Sequence, residues 1–386
     1  MLAMGFILGS QSQLSAEETV NVVAGVMKFR NEYSVIDLGK LTSATGINST
    51  GEVIGTREDA SHTTHGFIYS HGQFHDLGTL GGSTTVPLGI NDAGEVVGFS
   101  QTGERQRNGA AVVHGFLSAH GVMRDLAALD PTSEGKGFDS AAAINASGQI
   151  VGRASHQLTG WLYAHGEMVS LGTLVPKGTG YHIGWEIDPE GNREIRSFGA
   201  GSTQPARINA DGEVVGSATA SAGGYDHAFL YASGALRDLG TLGGEYSSAT
   251  DINDAGQIVG GAQTSDKLRH AFLYSAGKMQ DLGVPKGYKI SSAEGINASG
   301  LIVGYIENVL GVGFAYIQVD DRACRYEHGE WIDLNSRVDL ADSGLLTLTT
   351  ARAVNAAGQI IGQATANDHA YHAYLLTPIP AQVSAR

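Results

Sequence analysis

A nine-residue segment recurs seven times along this chain of 386 residues. Residues 252–260 read Ile-Asn-Asp-Ala-Gly-Gln-Ile-Val-Gly, and the other copies begin at Ile47, Ile90, Ile144, Ile208, Ile296 and Val354. A repeat unit of this size cannot bury its own apolar face, so neighbouring units must stack on one another. The repeats therefore predict one continuous array.

Each repeat is expected to contain four short β-strands. In the unit at 247–282, strand A covers 247–252, strand B 257–262, strand C 270–274 and strand D 278–282. These segments are short, have a period of two and are rich in Val, Ile and Thr, which disfavours helix. Two glycines occur in all seven copies, one in the A–B turn, where positive φ is needed, and one at the close of strand B. They are Gly51, Gly94, Gly148, Gly212, Gly256, Gly300 and Gly358 in the turns, and Gly55, Gly98, Gly152, Gly216, Gly260, Gly304 and Gly362 in strand B.

The two ends of the array are complementary. Residues 33–39 have the sequence of a strand D with no earlier strands, and residues 372–376 have that of a strand C with no strand D after it. Joined in one sheet, they would complete a seventh unit and leave no exposed sheet edge. The sequence thus predicts an all-β fold, a closed seven-bladed β-propeller in which the N-terminal strand D pairs with the C-terminal strand C. An open stack or another blade count is the alternative.

The propeller is expected to span residues 33–377, between an N-terminal leader (1–32) and a C-terminal tail (378–386). The leader begins with the apolar run 1–9 but has no basic residue before it, so it fits either a remnant signal peptide or a short helix. No segment approaches 18 consecutive apolar residues, and no membrane span is expected.

The charge of the chain limits its partners. The formal net charge of −15 and the small number of Lys and Arg, 24 in total, argue against binding to nucleic acid or to an anionic membrane surface. A single cysteine, Cys324, rules out an internal disulfide framework. No cofactor-binding motif is present, and no cofactor is expected.

Histidine and aspartate recur together at a fixed spacing of 11 residues between strands C and D. This spacing places the two side chains opposite or diagonal to each other across a hairpin, so we expect structural pairs and not metal sites, which need three or four convergent ligands. In the third unit, Thr159 and Ser170 replace both members together. The expected pairs are His65–Asp76, His114–Asp125, His227–Asp238, His270–Asp281, Arg322–Asp333 and His372–Asp37.

Strand C carries an aromatic residue at one position in nearly every unit. Cys324 fills this position in the sixth unit, where it is expected to be an inert apolar residue and not a nucleophile. The aromatic residues are Phe67, Phe116, Trp161, Phe229, Phe272 and Tyr374.

The strand C sequence His-Ala-Phe at 227–229 and again at 270–272 resembles the motif of the bacterial HAF-repeat family, and Asp-Leu-Gly-Thr-Leu-Gly-Gly at 238–244 strengthens the match. The resemblance covers about residues 33–377. It departs from the motif at 159–161 and at 322–324. Members of that family are described as extracellular repeat proteins of unknown function, so the resemblance implies an extracellular or cell-surface location and does not specify an activity.

The connections between strands differ in length on one face alone. In a propeller the A–B and C–D turns share one face, while the B–C and D–A connections share the other, and the long connections here all belong to the second class. Variable loops on a rigid repeat scaffold are typical of a binding surface.

The longest connection, at about 175–207, is the best candidate for a ligand site. Aromatic, arginine and carboxylate side chains together suit a sugar or a small anionic ligand. A loop closed by its own ion pairs is the competing interpretation, and turn sequences at 178–180 and 188–192 suggest that the insertion is a two-stranded hairpin. The candidate ligand-binding residues are Tyr181, His182, Trp185, Glu186, Asp188, Arg193 and Arg196.

Three functions fit the sequence. The first is an exported binding or interaction module that presents its loop-rich face to a polysaccharide or protein. The second is a carbohydrate-active enzyme, a lyase or glycosidase, that uses the 175–207 insertion. The third is a structural protein of a surface or matrix. Recognisable catalytic motifs such as Gly-x-Ser-x-Gly and His-Glu-x-x-His are absent from the sequence, which favours the first.

Overall fold

The computed structural model describes residues 31–107, 109–129, 140–154, 159–175, 182–187, 193–198, 201–220, 224–312 and 315–380. For 182–187, 193–198, 310–312 and 315–319 it describes the backbone alone. Seven four-stranded antiparallel sheets are arranged as a seven-bladed β-propeller, as the repeats predict. In the part of the chain so described, no helix has the length and apolarity that crossing a membrane requires.

The chain enters the ring at a strand that belongs to the last blade, and the first three blades follow in order. These elements are β1 (Tyr33–Lys40); β2 (Thr42–Ile47), β3 (Val53–Glu58), β4 (Thr64–Ser70) and β5 (Gln73–Asp76) in blade 1; β6 (Gly81–Ile90), β7 (Val96–Arg105), β8 (Ala111–Ala119) and β9 (Val122–Asp125) in blade 2; and β10 (Ser140–Ile144), β11 (Ile150–Arg153), β12 (Gly160–Ala164) and β13 (Glu167–Ser170) in blade 3.

A two-stranded hairpin separates blades 3 and 4, and blades 4 to 6 follow it. The elements are β14 (His182–Ile187) and β15 (Arg193–Phe198) in the hairpin; β16 (Thr203–Ile208), β17 (Val214–Thr219), β18 (Asp226–Ala232) and β19 (Ala235–Asp238) in blade 4; β20 (Gly243–Ile252), β21 (Ile258–Thr264), β22 (Arg269–Ser275) and β23 (Lys278–Asp281) in blade 5; and β24 (Ile290–Ile296), β25 (Ile302–Val312), β26 (Ala315–Glu327) and β27 (Glu330–Asp333) in blade 6. Short 3₁₀ turns follow blade 2 at Leu126–Leu129 and blade 6 at Leu334–Ser336.

Blade 7 joins the two ends of the chain. It contains β28 (Leu345–Val354), β29 (Ile360–Ala366) and β30 (Tyr371–Pro378), and β1 pairs antiparallel with β30 as its outer strand. The register sets Ile36 opposite Leu375 and Tyr33 opposite Pro378. The predicted closure by strands from both termini is therefore confirmed. The expected leader and tail lie almost wholly outside the described residues.

The apolar core consists of the interfaces between adjacent blades. Between blades 4 and 5, Val215 and Ala228 pack in one cluster with Ile258 and Phe272, and all four are 0% exposed. Because each blade buries its face against the next, no blade has a core of its own, as expected for stacked repeats.

Each glycine of strand B lies opposite the aromatic position of strand C, as Gly260 does opposite Phe272. A Cβ atom on Gly260 would lie 2.0 Å from the carbonyl oxygen of Ser248 in strand A. The same collision, at 1.9 to 2.2 Å, occurs at all seven positions. Glycine recurs here because the backbone of strand A comes too close for any side chain, not because a positive φ is needed.

A β-bulge interrupts the innermost strand of every blade. The register between strands A and B shifts by one residue at the bulge. In blade 5 the bulged residue is Thr250, two residues after Ser248, whose carbonyl oxygen approaches Gly260. The bulged residues are Thr45, Leu88, Ala142, Ala206, Thr250, Glu294 and Arg352. In blades 1 and 5 the bulged threonine also donates a hydrogen bond to the next blade, from Thr45 to the carbonyl of Pro87 at 2.8 Å and from Thr250 to that of Ala293 at 2.7 Å.

The asparagines that begin the A–B turns form a closed ring of hydrogen bonds. Nδ2 of each asparagine donates to the backbone carbonyl of the corresponding asparagine in the next blade, at 2.9 to 3.4 Å, and Asn355 completes the circle at Asn48. Each Oδ1 accepts the backbone N–H four residues later in its own turn. The side chains are 3 to 6% exposed. Leaving such a buried amide group unpaired costs about 1–3 kcal/mol, so the ring links the blades as well as shaping the turns.

Candidate functional site

The two faces of the propeller differ as the sequence predicts. On one face, the A–B turns repeat the same four-residue geometry, with the turn glycine donating its N–H to the asparagine carbonyl at 3.0 to 3.1 Å in every blade. The C–D turns of this face are equally short. The other face, which we call the insertion face, carries the B–C and D–A connections, including both 3₁₀ turns and the hairpin formed by β14 and β15.

The longest insertion is a hairpin at the level of the backbone. β14 and β15 pair antiparallel, with His182 opposite Phe198 and Ile187 opposite Arg193. Among the candidate ligand-binding residues, Tyr181 and Asp188 lie outside the described residues. His182, Trp185, Glu186, Arg193 and Arg196 lie on these two strands, and their side chains are outside the description. Their role remains a prediction.

Five histidine–aspartate pairs are in contact across strands C and D. Nδ1 of His114, His227, His270 and His372 lies 2.8 to 2.9 Å from the carboxylates of Asp125, Asp238, Asp281 and Asp37. His65 Nδ1 lies 3.4 Å from Asp76 and also approaches Asp59 through Nε2, at 3.1 Å. Each aspartate also accepts a backbone N–H two residues later, as Asp281 does from Gly283 at 2.7 Å. The pairs therefore hold the end of strand D against strand C in each of these blades. The His372–Asp37 pair joins the C-terminal strand β30 to the N-terminal strand β1 in the same way.

The sixth blade differs from the expected Arg322–Asp333 pair. Arg322 forms its ion pair with Asp320, two residues earlier on the same strand, at 2.9 Å. Asp333 instead accepts the N–H of Asn335 at 2.8 Å and caps the following 3₁₀ turn. Arg322 thus contacts Asp320, on the same face of the strand, in place of a direct ion pair with Asp333, while the charges of Asp320 and Asp333 both raise the pKa of the guanidinium group against the opposing effect of burial.

Cys324 is buried at the aromatic position of the sixth blade, with 0% exposure. Burial raises the pKa of its thiol far above the usual range. Among the residues that the structure describes, no group of three or more His, Cys, Asp or Glu could hold a metal ion.

A cavity of about 320 Å³ occupies the centre of the ring, and all seven bulged residues line it. Arg207, Ser248 and Ala249 also contribute to its wall. The bulges have a clear consequence, because the extra residue in each inner strand directs a side chain toward the axis. Sequence reasoning missed this cavity, since bulges have no sequence signal in a single copy of the repeat.

The charged residues at or beside the axial cavity come from four consecutive blades. Arg207 of blade 4 has Nε 3.8 Å from Oδ1 of Asp251 in blade 5. The other oxygen of Asp251 accepts the N–H of Ile296 in blade 6, at 2.9 Å. Burial raises the pKa of the Asp251 carboxyl, and the Arg207 charge opposes this shift. Glu294 and Arg352 are the bulged residues of blades 6 and 7.

A second polar cluster lies between blades 5 and 6 at the insertion face. Glu307, in the middle of the long strand β25, is directly opposite Asp321 on β26, and Glu307 is only 7% exposed. The guanidinium group of Arg269, from blade 5, lies 5.5 Å from the ring centre of Tyr305 in blade 6. Burial raises the pKa of both carboxyls; for Glu307 the Arg269 charge opposes this shift and the negative charge of Asp321 adds to it. Two carboxyl groups that share a partly buried site hold a proton more readily than either would alone.

Large apolar side chains are exposed along the insertion face. Tyr371 is 58% exposed at the start of a strand C, and Tyr225 and Tyr246 are 44% and 37% exposed around blades 4 and 5. Leu41 and Leu346 are also exposed there, and the N–H of Leu41 donates to the carbonyl of Tyr371 at 3.1 Å. Aromatic rings with an apolar body and a polar tip are typical of wet binding surfaces.

The fold and these sites define the chain as a seven-bladed β-propeller with a loop-bearing face and an axial cavity. No protein-family model matches the sequence. A search of curated proteins likewise gave no match.

Several solved structures have a similar fold. A puromycin-hydrolyzing peptidase of Mycobacterium tuberculosis is 12% identical, with a TM-score of 0.44 over 90% of this chain and 52% of its own length. The BP39L lectin of Burkholderia pseudomallei is 12% identical, with a TM-score of 0.38 over 91% of this chain and 99% of its own. YCF48 bound to D1 peptide is 10% identical, with a TM-score of 0.41 over 92% of this chain and 98% of its own. The chain spans about half the length of the two peptidases that head this set of structures. At these identities the likeness concerns the fold alone.

Proposed function

We propose that this protein is an exported interaction module that binds a polysaccharide or a protein on its insertion face. The observation that carries the proposal is the concentration of exposed tyrosines on the same face as every long connection. Tyrosine offers a flat apolar ring and a hydroxyl group, which together suit the apolar faces and hydroxyl groups of sugars, so a polysaccharide is the favoured ligand. Export is supported by the resemblance to the HAF-repeat family.

A glycan panel tests the binding proposal. The full chain is expected to retain at least one polysaccharide, and the triple substitution Tyr225→Ala, Tyr246→Ala and Tyr371→Ala is expected to weaken that binding by about tenfold or more. Val122→Ala is the control, because Val122 is 56% exposed on an outer strand away from the insertion face. Binding that is equal in the triple variant and the full chain would contradict the proposed surface. Fractionation of cells that produce the full chain tests export separately.

A carbohydrate-active enzyme is the second candidate, and the Glu307–Asp321 pair favours it. Carboxyl groups with raised pKa values are typical of sites that transfer protons. The same glycan panel decides between the candidates. New reducing ends or unsaturated products that disappear in Glu307→Gln would establish the enzyme, whereas binding without any product would leave the interaction module.

A further inference from the structure

The axial cavity breaks the sevenfold symmetry of the propeller. A scaffold built from equivalent blades has no need of charged groups on its axis, and the bulged residues of blades 1 to 3 are Thr45, Leu88 and Ala142. Blades 4, 6 and 7 instead contribute Arg207, Glu294 and Arg352 to the cavity wall, and Asp251 of blade 5 pairs with Arg207 beside it. The cavity thus has an uncharged wall on one side and a charged wall on the other.

Two of these charged side chains, Arg207 and Asp251, already have partners within the protein. Arg207 and Asp251 approach each other, and both oxygens of Asp251 accept backbone N–H groups, from Ile252 at 3.0 Å and from Ile296 at 2.9 Å. Arg207 also donates to the carbonyl of Ala206 at 3.0 Å. These two side chains mainly hold each other and the neighbouring strands in place.

Arg352 and Glu294 are the free half of the charged wall. Arg352 is exposed to the cavity on the inner strand β28, and it forms no hydrogen bond or ion pair with any residue that the structure describes. Glu294 accepts a hydrogen bond from Ser292 at 2.8 Å and keeps its other oxygen available. An unpaired guanidinium fork beside a carboxylate acceptor is suited to a ligand with a carboxylate and several hydroxyl groups.

We propose that the axial cavity binds a uronic acid residue. Arg352 holds the sugar carboxylate, and Glu294 accepts hydrogen bonds from ring hydroxyl groups. Thr45, Leu88 and Ala142 contact the apolar face of the ring. A volume of about 320 Å³ suits one sugar residue and not a longer chain segment. This inference rests on the proposed function, because it names the acidic class of polysaccharide whose terminal residue the cavity would hold.

A ligand-observed NMR titration of the full chain tests the site with D-glucuronate, D-glucose and L-glutamate as probes. Glucuronate is expected to bind at least tenfold more tightly than glucose, and its affinity is expected to fall as salt is added. Arg352→Gln is expected to weaken glucuronate at least tenfold. Arg352→Lys is expected to recover only part of the loss, since a lysine keeps the charge and lacks the fork. Arg124→Gln, on the exposed outer strand β9, is the matched control and is expected to have no effect.

Three results would overturn the inference. The first is equal binding of glucose and glucuronate. The second is unchanged glucuronate binding in an Arg352→Gln variant that melts like the full chain. The third is an Arg352-dependent binding of glutamate that is tighter than that of glucuronate, which would assign the cavity to an acidic peptide. The outcome is separable from that of the proposed function. Polysaccharide binding that needs the three tyrosines but not Arg352 would remove the uronate site alone, whereas Arg352-dependent glucuronate binding without any polysaccharide ligand would remove the insertion-face proposal alone.

Discussion

A chain that begins at residue 41 is expected to lose cooperative folding and to aggregate, whereas a chain that begins at residue 31 is not. The first lacks β1, so β30 becomes an open edge with unpaired N–H and C=O groups. It also exposes Tyr374 and Leu376, both 0% exposed in the closed ring, and leaves His372 without Asp37. Exposing these side chains costs on the order of 5 kcal/mol, which is comparable to the whole stability of many domains.

Thermal unfolding and light scattering of the two truncated chains measure this effect. The comparison isolates residues 31–40, which include Glu32 and its ion pair with Arg325 at 2.6 Å. If both chains melt at the same temperature and stay monodisperse, the outer strand of blade 7 contributes little and the importance assigned to closure is wrong.

Gly260→Ala is expected to destabilise the propeller by about 3 kcal/mol, a large effect for the addition of one methyl group. The new Cβ would lie 2.0 Å from the Ser248 carbonyl oxygen and 2.9 Å from the ring of Phe272. Strand A cannot retreat without disturbing the neighbouring Thr250 bulge and its bond to Ala293. Backbone strain of this kind cannot be relieved by rotating a side chain.

The adjacent Gly261→Ala is the matched control. Its Cβ would meet the Arg269 side chain at 3.0 Å and the Ser292 hydroxyl at 3.4 Å. Arg269 is flexible, so a loss below about 1 kcal/mol is expected. Urea unfolding of both variants measures the difference in the free energy of unfolding. Equal losses for the two substitutions would contradict the close approach of strand A to Gly260.

The blade count and the closure could be predicted because both depend on local patterns. The Asn–Gly turn and the period of two define four strands per unit, and the unpaired strands at 33–39 and 372–376 define how the ring closes. The strand bounds differ most in strand A of blade 5, which begins at Gly243 and not at Ser247, because Gly243 still pairs with Thr264.

Features that depend on contacts between blades could not be predicted. The asparagine of each turn is a common turn residue, and its link to the next blade has no sequence signal, since the acceptor of each Nδ2 lies in another repeat about 43 to 64 residues away, and at the ring closure 307 residues away. The sequence shows that the strand B glycines recur but not why they do. The cause is the close approach of strand A, as of the Ser248 carbonyl to Gly260, and this approach is visible only in the folded sheet. The ion pair of Arg322 with Asp320 was unforeseen for a similar reason, because a fixed spacing between strands does not reveal a closer carboxylate on the same strand.

The candidate site was predicted only in part. Insertion lengths identified the face that carries the long connections, and the predicted 175–207 range overlaps β16, so that its last residue, Arg207, lies on the inner strand of blade 4 and lines the axial cavity. The sequence gives no sign that Glu294 and Arg352 share a site with Arg207, because the bulge that directs them to the axis has no signal in a single repeat, and the same position is uncharged in the other five repeats. A comparison of the seven copies, position by position before each Ile-Asn pair, would have shown these two charges as exceptions.

Disulfide formation between Ser34→Cys and Thr377→Cys, in a Cys324→Ser background, tests the closed ring most directly. The two residues are opposite each other in the β1–β30 register, and directly opposed residues lie within the Cα distance that a disulfide needs. Oxidation is expected to cross-link residues 343 positions apart, with faster migration on a non-reducing gel and a higher melting temperature. A pair of Ser34→Cys with Ser275→Cys in blade 5 is expected to stay reduced. Absence of the first cross-link, or equal cross-linking of both pairs, would contradict the closed seven-bladed propeller.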